Sequence, residues 1–303
     1  MDRFLNLPAH LLAAVTAALL LEAAMFLILG SARLRARIGD CCPPSKMAAS
    51  LLASAIAPYL LYSLASGTFS PASAASLISL ATLAAYWFVL LPRSDWTDIA
   101  FAVFMGAVIL GGFMKRIYIP PVAKLPVEFL GEIMWTRMMM AGVLLIRKMP
   151  GVNLGFVPTG REWAIGVRHY LYFLPIAVAL NFALDFARPR PDFGGPGKIA
   201  LAVLGTFVAH FVFVALREEL LFRGVLLQGL TGVLANPALA LAMTSVVAGL
   251  GHLSFRQFPN WKFAILATAG HWFYGRAFER AGGVRAGMVC HALVNTTWRV
   301  FLV

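Results

Sequence analysis

Charge is scarce in this chain. Lys, Arg, Asp and Glu together make up 13% of its 303 residues, about half the ~25% of a soluble globular domain. Apolar residues reach 60%, and the mean hydropathy is +0.81. That balance excludes a soluble domain and defines an integral membrane protein. Cysteine is nearly absent too. Of the three, Cys41 and Cys42 are adjacent and Cys290 stands alone. No CxxC spacing occurs, so neither a disulfide framework nor a structural zinc site is encoded. HExxH is missing, as is any repeat of fixed period. Acidic residues are the scarcest charged class, 13 against 25 basic ones, for a formal net charge of +12. The basic residues flank apolar runs and form no separate module. They read as topology determinants and headgroup anchors, and a nucleic-acid partner is not expected.

What is present is a succession of apolar runs cut by charge, Pro and Gly. They cover about 10–30, 47–67, 71–91, 97–114, 127–146, 165–186, 199–216 running on into 217–229, 237–253, 262–280 and 284–303. Each approaches the roughly 20 residues that cross a bilayer. Lipid forces a backbone to satisfy its own hydrogen bonds, and no barrel-type alternation is visible. The fold class is therefore all-α, a polytopic transmembrane bundle of about 8–10 helices, multi-pass, in the plasma (inner) membrane if the source is prokaryotic. The run from His10 to Gly30 is longer than a signal-peptide core and precedes its Arg cluster, so it reads as a retained helix. The stretch "SARLRARIGDCCPPSK" (31–46) carries four basic residues and one acid, which places it in the cytoplasm. The basic segment 115–124 then breaks the rule unless 97–114 or 127–146 is interfacial or re-entrant. "ARPRPDFGGPGK" (187–198) cannot continue a helix and reads as a connector; 147–163 is a softer boundary.

Ionisable residues within such runs cost several kcal/mol unless paired or hydrated. Most lie in the last third. In "LREELLFRG" (216–224), Glu219 and Arg223 are four apart with the acid first, which suits an internal ion pair. Glu218 is rotated about 100° from Glu219, and Phe222 occupies its i+4 position. Geometry thus separates a structural carboxylate from one free for chemistry. His252 follows in "AGLGHLSF", and His291 and Asn295 share a face in "CHALVNTTW". Each alone reads as packing or interhelical glue. Three polar stations on three successive helices favour function.

Those residues resemble a known family. "EELLFR" matches the EExxxR motif of the CAAX protease and bacteriocin-processing family, also called the abortive-infection or type II CAAX prenyl endopeptidase family. "GLGHL" resembles its FxxxH motif, with Ala248 at the aromatic position, and "GRAFERAGGVRAGMVCHALVN" resembles its closing HxxxN stretch. The resemblance covers roughly 199–303. It implies a catalytic core over 161–303 and leaves 1–160 as an accessory transmembrane bundle. It implies an intramembrane endopeptidase without a cofactor. Glu218 would act as general base on a water together with His252, His291 and Asn295 would donate to an oxyanion, and Glu219 and Arg223 would give support. The partner would be a membrane-embedded or lipid-anchored peptide or protein in the bilayer.

Alternatives stay open. Glu218, His252 and His291 form a two-His, one-carboxylate set that zinc could use. A non-enzymatic immunity or assembly protein on the same fold is a second, although a binder need not retain these residues. A transporter is disfavoured by the lack of inverted repeats. Cys290 reads as core. His271 and His210 could line a cavity, but packing or an interface is the favoured reading for both, and Trp272 and Tyr274 read as interfacial aromatics. Arg276, Glu279, Arg280 and Arg285 read as a solvated turn. Glu22, Glu132 and Arg137 show no obvious intrahelical partner in the sequence and would pair across helices, with Glu22 alternatively lining a water path. Met138–Met140 reads as adaptable packing. The oligomeric state is not encoded legibly.

Overall fold

A computed structural model describes residues 8–122, 125–190 and 194–303. Twelve helices run through these residues, without strands. They are α1 (Ala9–Gly30), α2 (Ala32–Cys41), α3 (Pro44–Ala65), α4 (Pro71–Leu90), α5 (Asp95–Leu110), α6 (Phe113–Ile117), α7 (Glu128–Ile146), α8 (Gly160–Leu184), α9 (Pro196–Leu234), α10 (Pro237–Leu250), α11 (Trp261–Ala281) and α12 (Val284–Phe301). All ten apolar runs are helical. Six helices are long and apolar enough to cross a membrane: α1, α3, α4, α7, α8 and α9. The protein is an integral, multi-pass helical bundle.

The added helices are local. Ser31 caps α2 by accepting from the Leu34 N–H, and the basic stretch after α1 coils into that short helix. Among the apolar runs, α5 has 16 residues and α10 has 14, too few for a full crossing. In α11 and α12 the polar residues dilute the apolar character. Residues 123–124 and 191–193, within the basic segment and the connector, lie outside the described residues.

The chain divides into two compact units, 1–148 and 149–303. In the first, α7 is largely buried against α1, α3 and α4. Met138, Met139 and Met140 are fully buried there. Glu22 on α1 finds its partner across the bundle. The Arg137 guanidinium donates from Nε to one carboxylate oxygen at 2.5 Å and from Nη2 to the other at 3.2 Å. It also donates to the Ser54 hydroxyl and carbonyl on α3. Both charges are buried, so each depends on the other. A second two-pronged pair, Arg147 with Asp98, closes the end of this unit with both bonds at 2.8 Å.

In the second unit, α11 packs against α8, α10 and α12, and α12 also packs against α8 and α9. A capping box starts α8: the Thr159 hydroxyl accepts from the Glu162 N–H, and the Glu162 carboxylate accepts from the Thr159 N–H. Gly166 lets α8 meet α12 closely, since a Cβ there would lie 2.6 Å from the Val289 Cβ. The connector after α8 is held by antiparallel pairing of Arg188 with Val303. At 1.5 Å per residue, α9 is about 58 Å long, against a hydrocarbon thickness of about 30 Å. Its regularity breaks twice, at π segments His210–Ala215 and Leu220–Leu226. Such segments are uncommon and cluster at functional sites.

Removing one member of the Glu22–Arg137 pair leaves a buried charge uncompensated. Arg137→Met is expected to destabilise the protein by about 3–5 kcal/mol, read as a lower melting temperature in detergent. The double variant Glu22→Gln/Arg137→Met should recover most of that loss.

Candidate active site

The short α-helical turn Leu216–Glu219 lies between the two π segments and presents both carboxylates. Glu219 is fully buried. Its Oε1 accepts from Arg223 Nη1 at 3.3 Å and from His291 Nδ1 at 3.0 Å. The expected Glu219–Arg223 pair therefore forms, and Glu219 also reaches α12. Arg223 is fully buried as well. Its Nη1 donates to His271 Nδ1 at 2.7 Å, and its Nη2 donates to the His271 carbonyl. Its guanidinium sits over the Tyr274 ring, 5.7 Å from the centroid.

Glu218 faces another way. Its Oε2 lies 3.5 Å from His271 Nε2 and 3.8 Å from His291 Nε2. That oxygen is buried and makes no hydrogen bond within the normal range. Orphaned buried polar atoms are few in native proteins and require an explanation. The side chain is 17% exposed, so the carboxylate as a whole is not sealed.

His252 stands just beyond the end of α10. Its Nδ1 lies 2.8 Å from the Ala248 carbonyl, which directs Nε2 away from its own helix. Its ring is 5.8 Å from that of His271. Asn295 lies one turn beyond His291 on α12. Both line a cavity of about 300 Å³, together with His252 and His271. Most of the remaining wall is apolar, including Phe173, Leu266 and Trp298. Among the described residues no protein group hydrogen-bonds the Asn295 amide.

The structure thus places His252, His291 and Asn295 on the cavity wall, with Glu218, Glu219 and Arg223 behind that wall, against His271 and His291. It adds two residues that sequence reasoning set aside. His271, read as packing, is buried between Arg223 and Glu218. Tyr274, read as interfacial, is buried with its ring stacked on His291 at 4.4 Å. The signal for both was their spacing: three apart, they share a face of α11. Arg285, read as solvated, is bound to Glu162 at 2.9 Å. The candidate metal set changes as well. Glu218, His252 and His271 place ligand atoms within 4.8 Å of one another, so His271 stands where the sequence suggested His291.

Residues 200–297 match the family model for type II CAAX prenyl endopeptidase Rce1-like proteins. This stretch is similar to the Rce1-like endopeptidases, consistent with the CAAX protease family, and it contains every residue of the cluster. No curated protein and no solved structure matches the chain.

Gly287 on α12 allows Glu219 to sit where it does. A Cβ at this position would lie 2.6 Å from Glu219 Oε2 and 3.1 Å from the Tyr274 carbonyl. Gly287→Ala is expected to push Glu219 off His291 at a cost of about 1–3 kcal/mol. Thermal melts in detergent should show the loss, and an unchanged melting temperature would contradict it.

Proposed function

We propose that the protein is an intramembrane endopeptidase that hydrolyses peptide bonds with a water activated by Glu218. One observation carries this reading: a buried, unsatisfied carboxylate oxygen faces two imidazoles at the wall of a cavity, within a stretch similar to the Rce1-like endopeptidases. Glu218 takes a proton from water, and the oxygen attacks the scissile carbonyl carbon. His252 helps to hold that water through Nε2, since its Nδ1–H is committed to the Ala248 carbonyl. The carbonyl oxygen becomes an oxyanion. Asn295 donates to it through its amide. His291 donates through Nε2 in its imidazolium form, with its Nδ1–H held by the Glu219 carboxylate. Collapse of the tetrahedral intermediate breaks the C–N bond, and Glu218 returns its proton to the leaving amine. Donors fixed in a water-poor, apolar cavity stabilise this developing charge more than water would.

The apolar cavity wall supports a membrane-embedded or lipid-anchored substrate. The first unit, 1–148, serves as an accessory bundle in this reading. A metal-dependent protease is the second reading, favoured by the close approach of Glu218, His252 and His271. Loss of cleavage in a strong chelator, restored by zinc, would select it.

Glu218→Gln retains shape and removes the base. It is expected to leave the melting temperature within experimental error and to lower cleavage by at least about 10²-fold. Comparative membrane proteomics of wild type against this variant should reveal a precursor that accumulates only in the variant. Cleavage at the wild-type rate would refute the assignment.

A further inference from the structure

We infer that His271 is a positioning residue for Glu218, fixed by Arg223 as an Nε2–H donor, and is therefore not a metal ligand. The inference rests on the proposed role of Glu218 and assigns a residue outside the three motifs.

Three imidazoles meet at this cavity, and the partner of each Nδ1 decides what its Nε2 can do. The Ala248 carbonyl can only accept, so His252 carries its proton on Nδ1 and keeps a lone pair on Nε2. The Glu219 carboxylate likewise accepts from His291 Nδ1. His271 is the opposite case. Its Nδ1 lies 2.7 Å from a guanidinium nitrogen, and arginine has donors and no acceptor. The Nδ1 lone pair of His271 is therefore occupied by Arg223. A neutral His271 must carry its proton on Nε2, the atom aimed at the orphaned Oε2 of Glu218.

The backbone reinforces the arrangement. Arg223 also binds the His271 carbonyl, so one guanidinium holds both the ring and the main chain of that residue. The phenyl ring of Phe222 meets the imidazole edge-on at 5.3 Å, and the Tyr274 ring lies 5.3 Å away on another side. The imidazole is 2% exposed and has little room to turn over. The 3.5 Å separation from Glu218 is long for a hydrogen bond, as contacts of this kind often are before substrate tightens them. With His271 holding Oε2, the other carboxylate oxygen is left to the water. A cation at Glu218, His252 and His271 would need a lone pair on His271 Nε2. With Nδ1 already accepting from Arg223, that would require an imidazolate, so the donor set does not fit a divalent metal.

The test uses the full-length protein in nanodiscs with ¹⁵N-labelled histidine, His271→Gln serving to assign the signal. The expected spectrum has a protonated Nε2 and a bare Nδ1 at His271, with the reverse at His252. A protonated Nδ1 at His271 overturns the inference whether or not the protein is a protease. Cleavage of the precursor that accumulates in Glu218→Gln gives the second readout. His271→Phe should lower kcat by roughly 10–100-fold with KM little changed. His271→Gln, whose amide can donate from nearly the same point, should recover much of that loss. Wild-type kcat in His271→Phe, with Glu218→Gln inactive, would remove His271 from the reaction and leave the protease reading standing. Cobalt(II) supplies a third readout: a visible ligand-field band present in the wild type and absent in His271→Gln would make His271 a ligand and overturn the inference.

Discussion

Arg223 is a permanent positive charge with no access to water, and the second unit is organised around it. Burying such a charge without compensation costs several kcal/mol. The protein spreads the compensation over three helices. Glu219, on the same helix as Arg223, supplies the countercharge. His271 on α11 supplies a ring nitrogen and a carbonyl, and Tyr274 on α11 supplies the face of its ring. Through Glu219 the network passes to His291 on α12. The groups that would act on a substrate are thus aligned by a residue that does not touch the cavity.

That arrangement explains why the helices of this unit must approach so closely. The Glu219–His291 bond at 3.0 Å exists only because α12 carries glycine at 287. Gly166 plays the same part between α8 and α12 on another side. Tight, inflexible contacts fix donors in advance, which is what stabilisation of a developing charge demands. The π segments on either side of Glu218 and Glu219 serve the same end. Each admits one extra residue per turn, which changes where successive side chains point.

Much of this was legible in the sequence. The ten apolar runs mark ten helices, because lipid leaves the backbone few alternatives. That Glu218 and Glu219 meet different partners follows from helical rotation. Two kinds of feature were not legible. His271 and Tyr274 have ordinary sequence surroundings, and only the crossing of α11 with α9 and α12 gives them partners. The π segments carry no distinct signature in "HFVFVA" or "LLFRGVL", since the same apolar residues suit an α-helix. For Glu22 and Arg137 the sequence showed that partners were needed, and tertiary packing alone shows that they are each other's.

The Glu22–Arg137 pair also bears on how the protein is made. The two residues stand 115 positions apart, on the first and seventh helices. At roughly 5–20 residues per second of synthesis, about 6–23 seconds separate their emergence from the ribosome. During that interval α1 carries a carboxyl group with no counterion. It must stay protonated, or shelter in the insertion machinery, until α7 arrives. The buried pair of the first unit is therefore completed only when its last span joins its earliest.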